Sequence, residues 1–89
     1  MTAKEFTRIW NSLLLSIKKS VKKGDVLPIK IMSLDADQEI MEKIQFVIER
    51  VNKDNEFQQS VYEGTGRRLL LYSNIDGSQL NVLAQEIES

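Results

Sequence analysis

The segment Arg68–Tyr72, with the sequence RLLLY, carries apolar side chains on both faces of an extended chain, which is typical of a strand inside a sheet. The segment Phe57–Tyr62 also predicts a strand, and the glycine-containing residues 63–67 between the two predict a hairpin loop. Further upstream, Val26–Met32 alternates in period two and predicts a third strand. Pro28 cannot donate a backbone hydrogen bond, so we expect this strand at an edge of the sheet.

Three helices are predicted around these strands. The first covers about residues 3–23, with capping-box spacing between Thr2 and Glu5 at its start and Gly24 as a left-handed stop. The second covers about residues 36–53 and carries the most regular apolar stripe of the chain. A short third helix follows the last turn of the sequence. Its apolar stripe is formed by Leu80, Leu83, Ala84 and Ile87.

These elements predict a single α+β domain over residues 1–89 with the order α-β-α-β-β-α. The strands are expected to form a three-stranded antiparallel sheet in the order 1-3-2, as in a ferredoxin-like split βαβ motif whose last strand is missing. A right-handed crossover places helices 2 and 3 on one face of this sheet. We expect helix 1 to cover the other face, or to be swapped onto a second copy in a dimer.

The composition argues against catalysis and against a metal or cofactor site. The 89 residues include neither His nor Cys, which removes the commonest general base and the commonest zinc ligands. The carboxylates at the start of the second helix, among them Asp37 and Glu39, point apart and are typical of helix caps. We therefore expect no enzyme activity, no cofactor and no metal. No apolar run approaches the length of a membrane span and no leader is recognisable, so we expect a cytoplasmic protein that does not bind membranes.

The net charge of −1 conceals two oppositely charged parts of the chain. Residues 1–30 carry seven basic and two acidic side chains, whereas residues 31–89 carry five basic and eleven acidic ones. One group of basic residues is a candidate for binding an anion or a nucleic acid: Lys18, Lys19, Lys22, Lys23, Arg67 and Arg68. An isoelectric point of about 5.4 and few aromatic residues favour the alternative, in which these lysines form a solvated helix end.

Several side chains lie away from the predicted core and indicate a protein-binding surface. The candidate partner-binding residues are Leu15, Phe46, Val82, Lys30 and Met32. The last two lie on the predicted edge strand, whose free backbone groups could pair with an added strand. We therefore expect a small non-catalytic protein-interaction module, such as a regulator, inhibitor or adaptor, that forms a homodimer. The alternative is a nucleic-acid-binding protein that uses the basic end of helix 1 and the Arg67-Arg68 hairpin.

Overall fold

A computed structural model describes residues 1–87, and this part of the chain forms three helices and one three-stranded antiparallel sheet. The elements are α1 (Ala3–Ser20), β1 (Ile29–Asp35), α2 (Gln38–Val51), α3 (Asn55–Thr65), β2 (Leu69–Asp76) and β3 (Gln79–Glu86). The strands lie in the order β1-β3-β2, so that β1 and β2 run parallel to each other with β3 between them. The predicted α+β class and a three-stranded antiparallel sheet of order 1-3-2 are confirmed, although the second and third strands are not formed by the predicted segments.

The central strand β3 occupies the segment for which the sequence predicts a third helix, and that prediction is wrong. A two-residue turn precedes β3, with Gly77 at a φ of +62° and Ser78 outside the positive-φ region, as in a type II′ hairpin. This turn brings the segment back beside β2, where it hydrogen-bonds on both sides. Its buried side chains alternate with period two: Leu80, Val82 and Ala84.

Helix α3 replaces the predicted strand Phe57–Tyr62 and the predicted loop 63–67, so both of these predictions are wrong. Asp54 begins the helix, because its Oδ1 accepts the backbone N–H groups of Glu56 at 2.9 Å and Phe57 at 3.3 Å. Gly66 ends it with a φ of +74°, the left-handed conformation of a helix C-cap. The observed element order is therefore α-β-α-α-β-β.

The first two helices are correctly predicted but shorter than expected. Thr2 caps α1 as predicted, since its Oγ1 accepts the backbone N–H of Glu5 at 3.1 Å. The helix ends at Ser20, where Val21 takes an extended conformation. Gly24 does not adopt a positive φ, so its predicted role as the left-handed stop is wrong.

The edge position of β1 is confirmed, although the strand begins at Ile29 rather than at Val26. Leu69–Tyr72 of the RLLLY segment lie in β2, which is the other edge strand and not the centre of the sheet. Its two faces differ because Leu69 and Leu71 are buried beneath the helices while Leu70 is exposed. Because Leu70 is apolar although it faces outward, the sequence of β2 resembles that of a central strand.

All three helices pack on the same face of the sheet, so the expectation that helix 1 covers the opposite face is wrong. The ring of Trp10 in α1 lies edge-on to Phe57 in α3 at a centroid distance of 5.2 Å, and Phe6 lies edge-on to Phe46 in α2 at 6.3 Å. Leu13 in α1 belongs to the same buried core as the helix-facing side chains of the sheet. The ferredoxin-like assignment and the exchange of helix 1 between two copies stay predictions.

Within residues 1–87, the opposite face of the sheet carries no helix, and it is called the open face below. Its side chains alternate with the buried ones along the strands: Lys30, Ser33 and Asp35 in β1, Leu70, Tyr72, Asn74 and Asp76 in β2, and Gln79, Asn81, Leu83 and Gln85 in β3. Hydrogen bonds between neighbouring strands connect part of this face, since Ser33 Oγ donates to Asn81 Oδ1 at 2.9 Å. The sheet is therefore covered on one side only.

Replacing Gly66 with alanine is expected to destabilise the fold by about 1–2 kcal/mol, because an L side chain at positive φ is strained. The added Cβ would approach no neighbouring atom closer than 4.0 Å, so the loss comes from the backbone alone. Gly24→Ala is the matched control, since Gly24 has no positive φ and nothing within 4 Å of the added Cβ. Urea unfolding of both variants checks the assignment, and an equal loss in the two would contradict it.

Candidate protein-binding groove

An apolar groove lies between α1 and α2, with β1 as its floor, and has a volume of about 510 Å³. Five aliphatic side chains line it: Ile9 from α1, Met32 and Leu34 from β1, and Ile40 and Ile44 from α2. Arg8, Ser12 and Lys43 complete the lining. Ile40 remains 39% exposed, so the groove presents apolar surface to solvent. We call it the α1–α2 groove.

The pairing of β1 with β3 explains how Met32 reaches this groove. The register shifts between Lys30 and Met32, which places an extra residue in β1 opposite β3. Met32 is consequently paired with Val82, and its side chain is on the helix side of the sheet. Lys30 precedes the bulge and stays exposed on the open face. Two residues predicted to act together therefore lie on opposite faces.

Lys43 connects the two walls of the α1–α2 groove through ion pairs. Its Nζ lies 2.7 Å from Glu5 Oε2 of α1 and 3.1 Å from Glu39 Oε1 of α2. The hydrogen bond with Lys43 lowers the pKa of Glu5, and the same bond, followed by that with Glu39, raises the pKa of Lys43. Arg8 is different, because within residues 1–87 it makes no ion pair. It is thus an available cation at the rim of an apolar groove.

Phe46 stands beside a second cavity, of about 410 Å³, whose lining shares Lys43 with the α1–α2 groove. Its ring is 43% exposed although it contacts Phe6, and the guanidinium of Arg50 lies 4.9 Å from its centroid. Met32 and Phe46 therefore line two neighbouring cavities that have Lys43 in common.

The remaining partner-binding candidates are dispersed. Leu15 is 54% exposed on the outer side of α1, where it lies near Arg8. Val82 is completely buried in β3, so its predicted role as a surface contact is wrong. The helix predicted for this segment would have turned Val82 outward, whereas the strand directs it into the core. Ile9, Ile40 and Ile44 lie on the apolar stripes of α1 and α2, and periodicity alone does not show that Ile40 stays exposed while Ile44 is buried.

The edges of the sheet are poorly suited to strand addition. At the β1 edge, the bulge near Lys30 interrupts the regular pairing, and Pro28 lacks a donor just before the strand. At the β2 edge, the side chain of Asn52 takes the place of a neighbouring strand. Its Nδ2 donates to the carbonyl oxygen of Leu71 and its Oδ1 accepts from the N–H of Leu71, both at 2.9 Å. Each edge therefore carries a feature that interrupts the backbone pairing of an added strand.

The predicted basic cluster is brought together by Arg67. Its guanidinium donates to the carbonyl oxygens of Lys22 at 3.3 Å and Asp25 at 2.6 Å, and it forms an ion pair with Glu86. The cluster's lysines lie near the C-terminal ends of α1 and α3, where cations compensate the helix dipoles. Arg68 instead lies over the ring of Tyr62, 5.9 Å from its centroid. These contacts offer a structural explanation of the basic cluster, in addition to the hypothesis that it binds an anion.

Asn52→Ala is expected to destabilise the protein by about 1–3 kcal/mol, because it leaves the N–H and C=O groups of Leu71 without their partners. Hydrogen exchange at the Leu71 amide should accelerate at the same time. Asn11→Ala removes an exposed amide from α1 and is the control. Unchanged stability in urea and unchanged exchange for Asn52→Ala would contradict this role.

Glu5→Gln is expected to change the dependence of stability on pH. The pKa of Glu5 is lowered in the folded protein from the usual 4.5, so its ion pair stabilises the fold above that value. This contribution is lost as the pH falls through the lowered pKa. Urea midpoints should therefore differ between wild type and variant near neutral pH and converge in acid. A difference that persists in acid would contradict the assignment.

Comparisons with known proteins give no relative of this chain: no family model, no curated protein and no solved structure matched it. Within residues 1–87, no helix combines the length and the apolarity needed to cross a membrane. The same part of the chain holds no cluster of three or more His, Cys, Asp or Glu side chains arranged for a metal ion.

Proposed function

We propose that this protein is a small non-catalytic protein-interaction module that binds a helical segment of a partner protein in the α1–α2 groove. The observation that supports it most directly is an apolar groove bordered by a cation without an ion-pair partner in residues 1–87. Apolar concavities with a few placed polar groups are the usual form of binding sites in proteins. A regulator, inhibitor or adaptor would act through such binding alone.

The lining of the groove indicates the chemistry of the partner. Ile40 and Ile44 on α2 face Ile9 on α1, so aliphatic side chains along one face of a helix would replace water there. Arg8 at the rim would form a charge-assisted hydrogen bond with a carboxylate of the same segment. Lys43 is already engaged by Glu5 and Glu39, so it does not offer a second site for an acid. The partner is therefore an amphipathic helix with aliphatic residues and one acidic residue.

Binding of a selected peptide tests this proposal. Helical peptides displayed on phage are selected on the wild-type protein, and their affinities are measured by fluorescence anisotropy. We expect enrichment of aliphatic residues at helical spacing together with Asp or Glu. Ile40→Asp and Arg8→Glu should each weaken binding by about tenfold or more, because one charges the apolar wall and the other repels the carboxylate.

Two variants provide matched controls. Ile75→Asp charges an exposed isoleucine on β2, and Lys19→Glu reverses an exposed charge on α1 outside the groove lining. Both should bind the selected peptides like wild type. A peptide in which the acid is replaced by its amide should lose affinity for wild type but not for Arg8→Met. Equal binding by Ile40→Asp and the controls, or enrichment without aliphatic residues, would overturn the proposal.

The alternative function is nucleic-acid binding through the basic cluster. Four exposed lysines around the end of α1 give a local excess of positive charge that could contact phosphates. The support is weaker than for the groove, since Arg67 is held by Glu86 and by backbone carbonyls. The lysines are also explained by the C-terminal ends of α1 and α3, because cations there compensate the helix dipoles. We therefore place protein binding first.

A further inference from the structure

We infer that the loop between α1 and β1 docks on the surface of an anionic membrane. This loop covers residues 21–28 and is called the α1–β1 loop below. Its apolar contact is Val26, whose side chain is 87% exposed, more than any other large apolar side chain in residues 1–87. The inference does not depend on the proposed function, because no residue of this loop lines the α1–α2 groove.

Val26 is exposed because the fold leaves it outside the sheet. The sequence pattern predicts it as the first residue of a strand, but β1 begins only at Ile29. Leu27 packs against the core, so the chain turns inward directly after Val26. One exposed valine is ordinary on a protein surface. Its charged surroundings are what distinguish Val26.

Exposed cations lie close to Val26 along the chain. Residues 17–28 carry four basic side chains and one acidic side chain, Asp25. The basic ones are Lys18, Lys19, Lys22 and Lys23, and within residues 1–87 none of them forms an ion pair. The rest of the chain has the opposite charge, since residues 31–89 carry five basic and eleven acidic side chains. An anionic surface therefore attracts this end of the molecule and repels the remainder.

Arg67 holds the α1–β1 loop in a fixed shape. Its guanidinium donates to the carbonyl oxygens of Lys22 and Asp25 and is itself held by Glu86. The carboxylate of Asp25 is turned into the loop, where Oδ2 accepts the backbone N–H of Lys22 at 2.8 Å. The only acid of the loop is thus directed inward while Val26 points outward. A loop that is already ordered loses little conformational entropy when it docks.

The combination of Val26 with lysines favours a lipid surface over a nucleic acid. Lysines contact phosphate groups in both cases, but an exposed apolar side chain gains only where it leaves water for hydrocarbon. Compensation of the helix dipoles explains Lys18 and Lys19, yet it gives no role to Val26. The inference departs from the sequence-based expectation that the protein does not bind membranes, because that expectation placed Val26 in a strand. Binding is weak and reversible, since one valine and four lysines supply less than stable attachment requires.

Co-sedimentation of the full chain with lipid vesicles tests the inference. The vesicles consist of phosphatidylcholine alone or with about 30% phosphatidylserine, at about 50 and 500 mM salt. Wild type should sediment with the anionic vesicles but not with the neutral ones, and less at high salt because ions screen the lysines. Lys19→Glu and Lys22→Glu should each weaken binding by about tenfold. Val26→Asp should weaken it by about fivefold or more, and Val26→Trp should strengthen it, because tryptophan favours the membrane interface.

Each change has a matched control. Ile75→Asp charges an exposed isoleucine of β2, and Lys4→Glu reverses an exposed lysine about 22 Å from Lys19 along α1. Both should bind the anionic vesicles like wild type. Ile40→Asp in the α1–α2 groove should do so as well, which separates this test from that of the proposed function.

Three results would overturn the inference. The first is no binding of wild type to the anionic vesicles at low salt. The second is equal binding by Val26→Asp and Ile75→Asp, which would leave the valine without a role. The third is binding of wild type to single-stranded RNA but not to vesicles, which would favour the nucleic-acid alternative.

Discussion

The pairing of β3 with strands on both sides is the constraint on which the rest of the structure depends. Because the hairpin at Gly77 returns the chain beside β2, β3 is inserted between β2 and the distant β1. The chain between β1 and β2 must then cross over β3, and it carries α2 and α3 with it onto one face. The buried alternation of β3 provides the surface on which these helices pack.

The position of α1 determines which surfaces of the protein stay exposed. Trp10 attaches this helix to α3, both through its contact with Phe57 and through a hydrogen bond of 3.1 Å from its Nε1 to Asp54 Oδ2. Asp54 also caps α3, so one carboxylate both begins α3 and holds α1 against it. The α1–α2 groove lies beside Arg8, Ile9 and Ser12, which are on both sides of Trp10 along α1. The open face stays uncovered for the same reason, since all helices are on the other side.

The two exposed surfaces differ in their chemistry. The α1–α2 groove is concave and mostly apolar, with Arg8 at its rim. The open face has Leu83 at its centre and polar groups beyond it. The edges of the sheet are less accessible to a new strand, because Asn52 occupies the backbone groups of Leu71 and a bulge interrupts β1.

Local patterns in the sequence were sufficient for the elements whose signals agree with each other. The capping contact at Thr2 and the stripes of α1 and α2 are readable because one helix face carries most of the apolar residues, and Pro28 correctly indicated an edge. Residues 57–65 and 79–86 could not be assigned in this way, because their apolar residues fit both a helical and an extended spacing.

Tertiary packing decided these ambiguous segments and the candidate sites. Asp54 and Gly66 delimit a helix whose Phe57 fills the core, while strands on both sides make 79–86 extended. The same packing buried Val82, moved Lys30 and Met32 to opposite faces and created the α1–α2 groove from residues that look like core. Periodicity reports which side of an element is apolar, but only contacts between distant elements determine whether that side is covered.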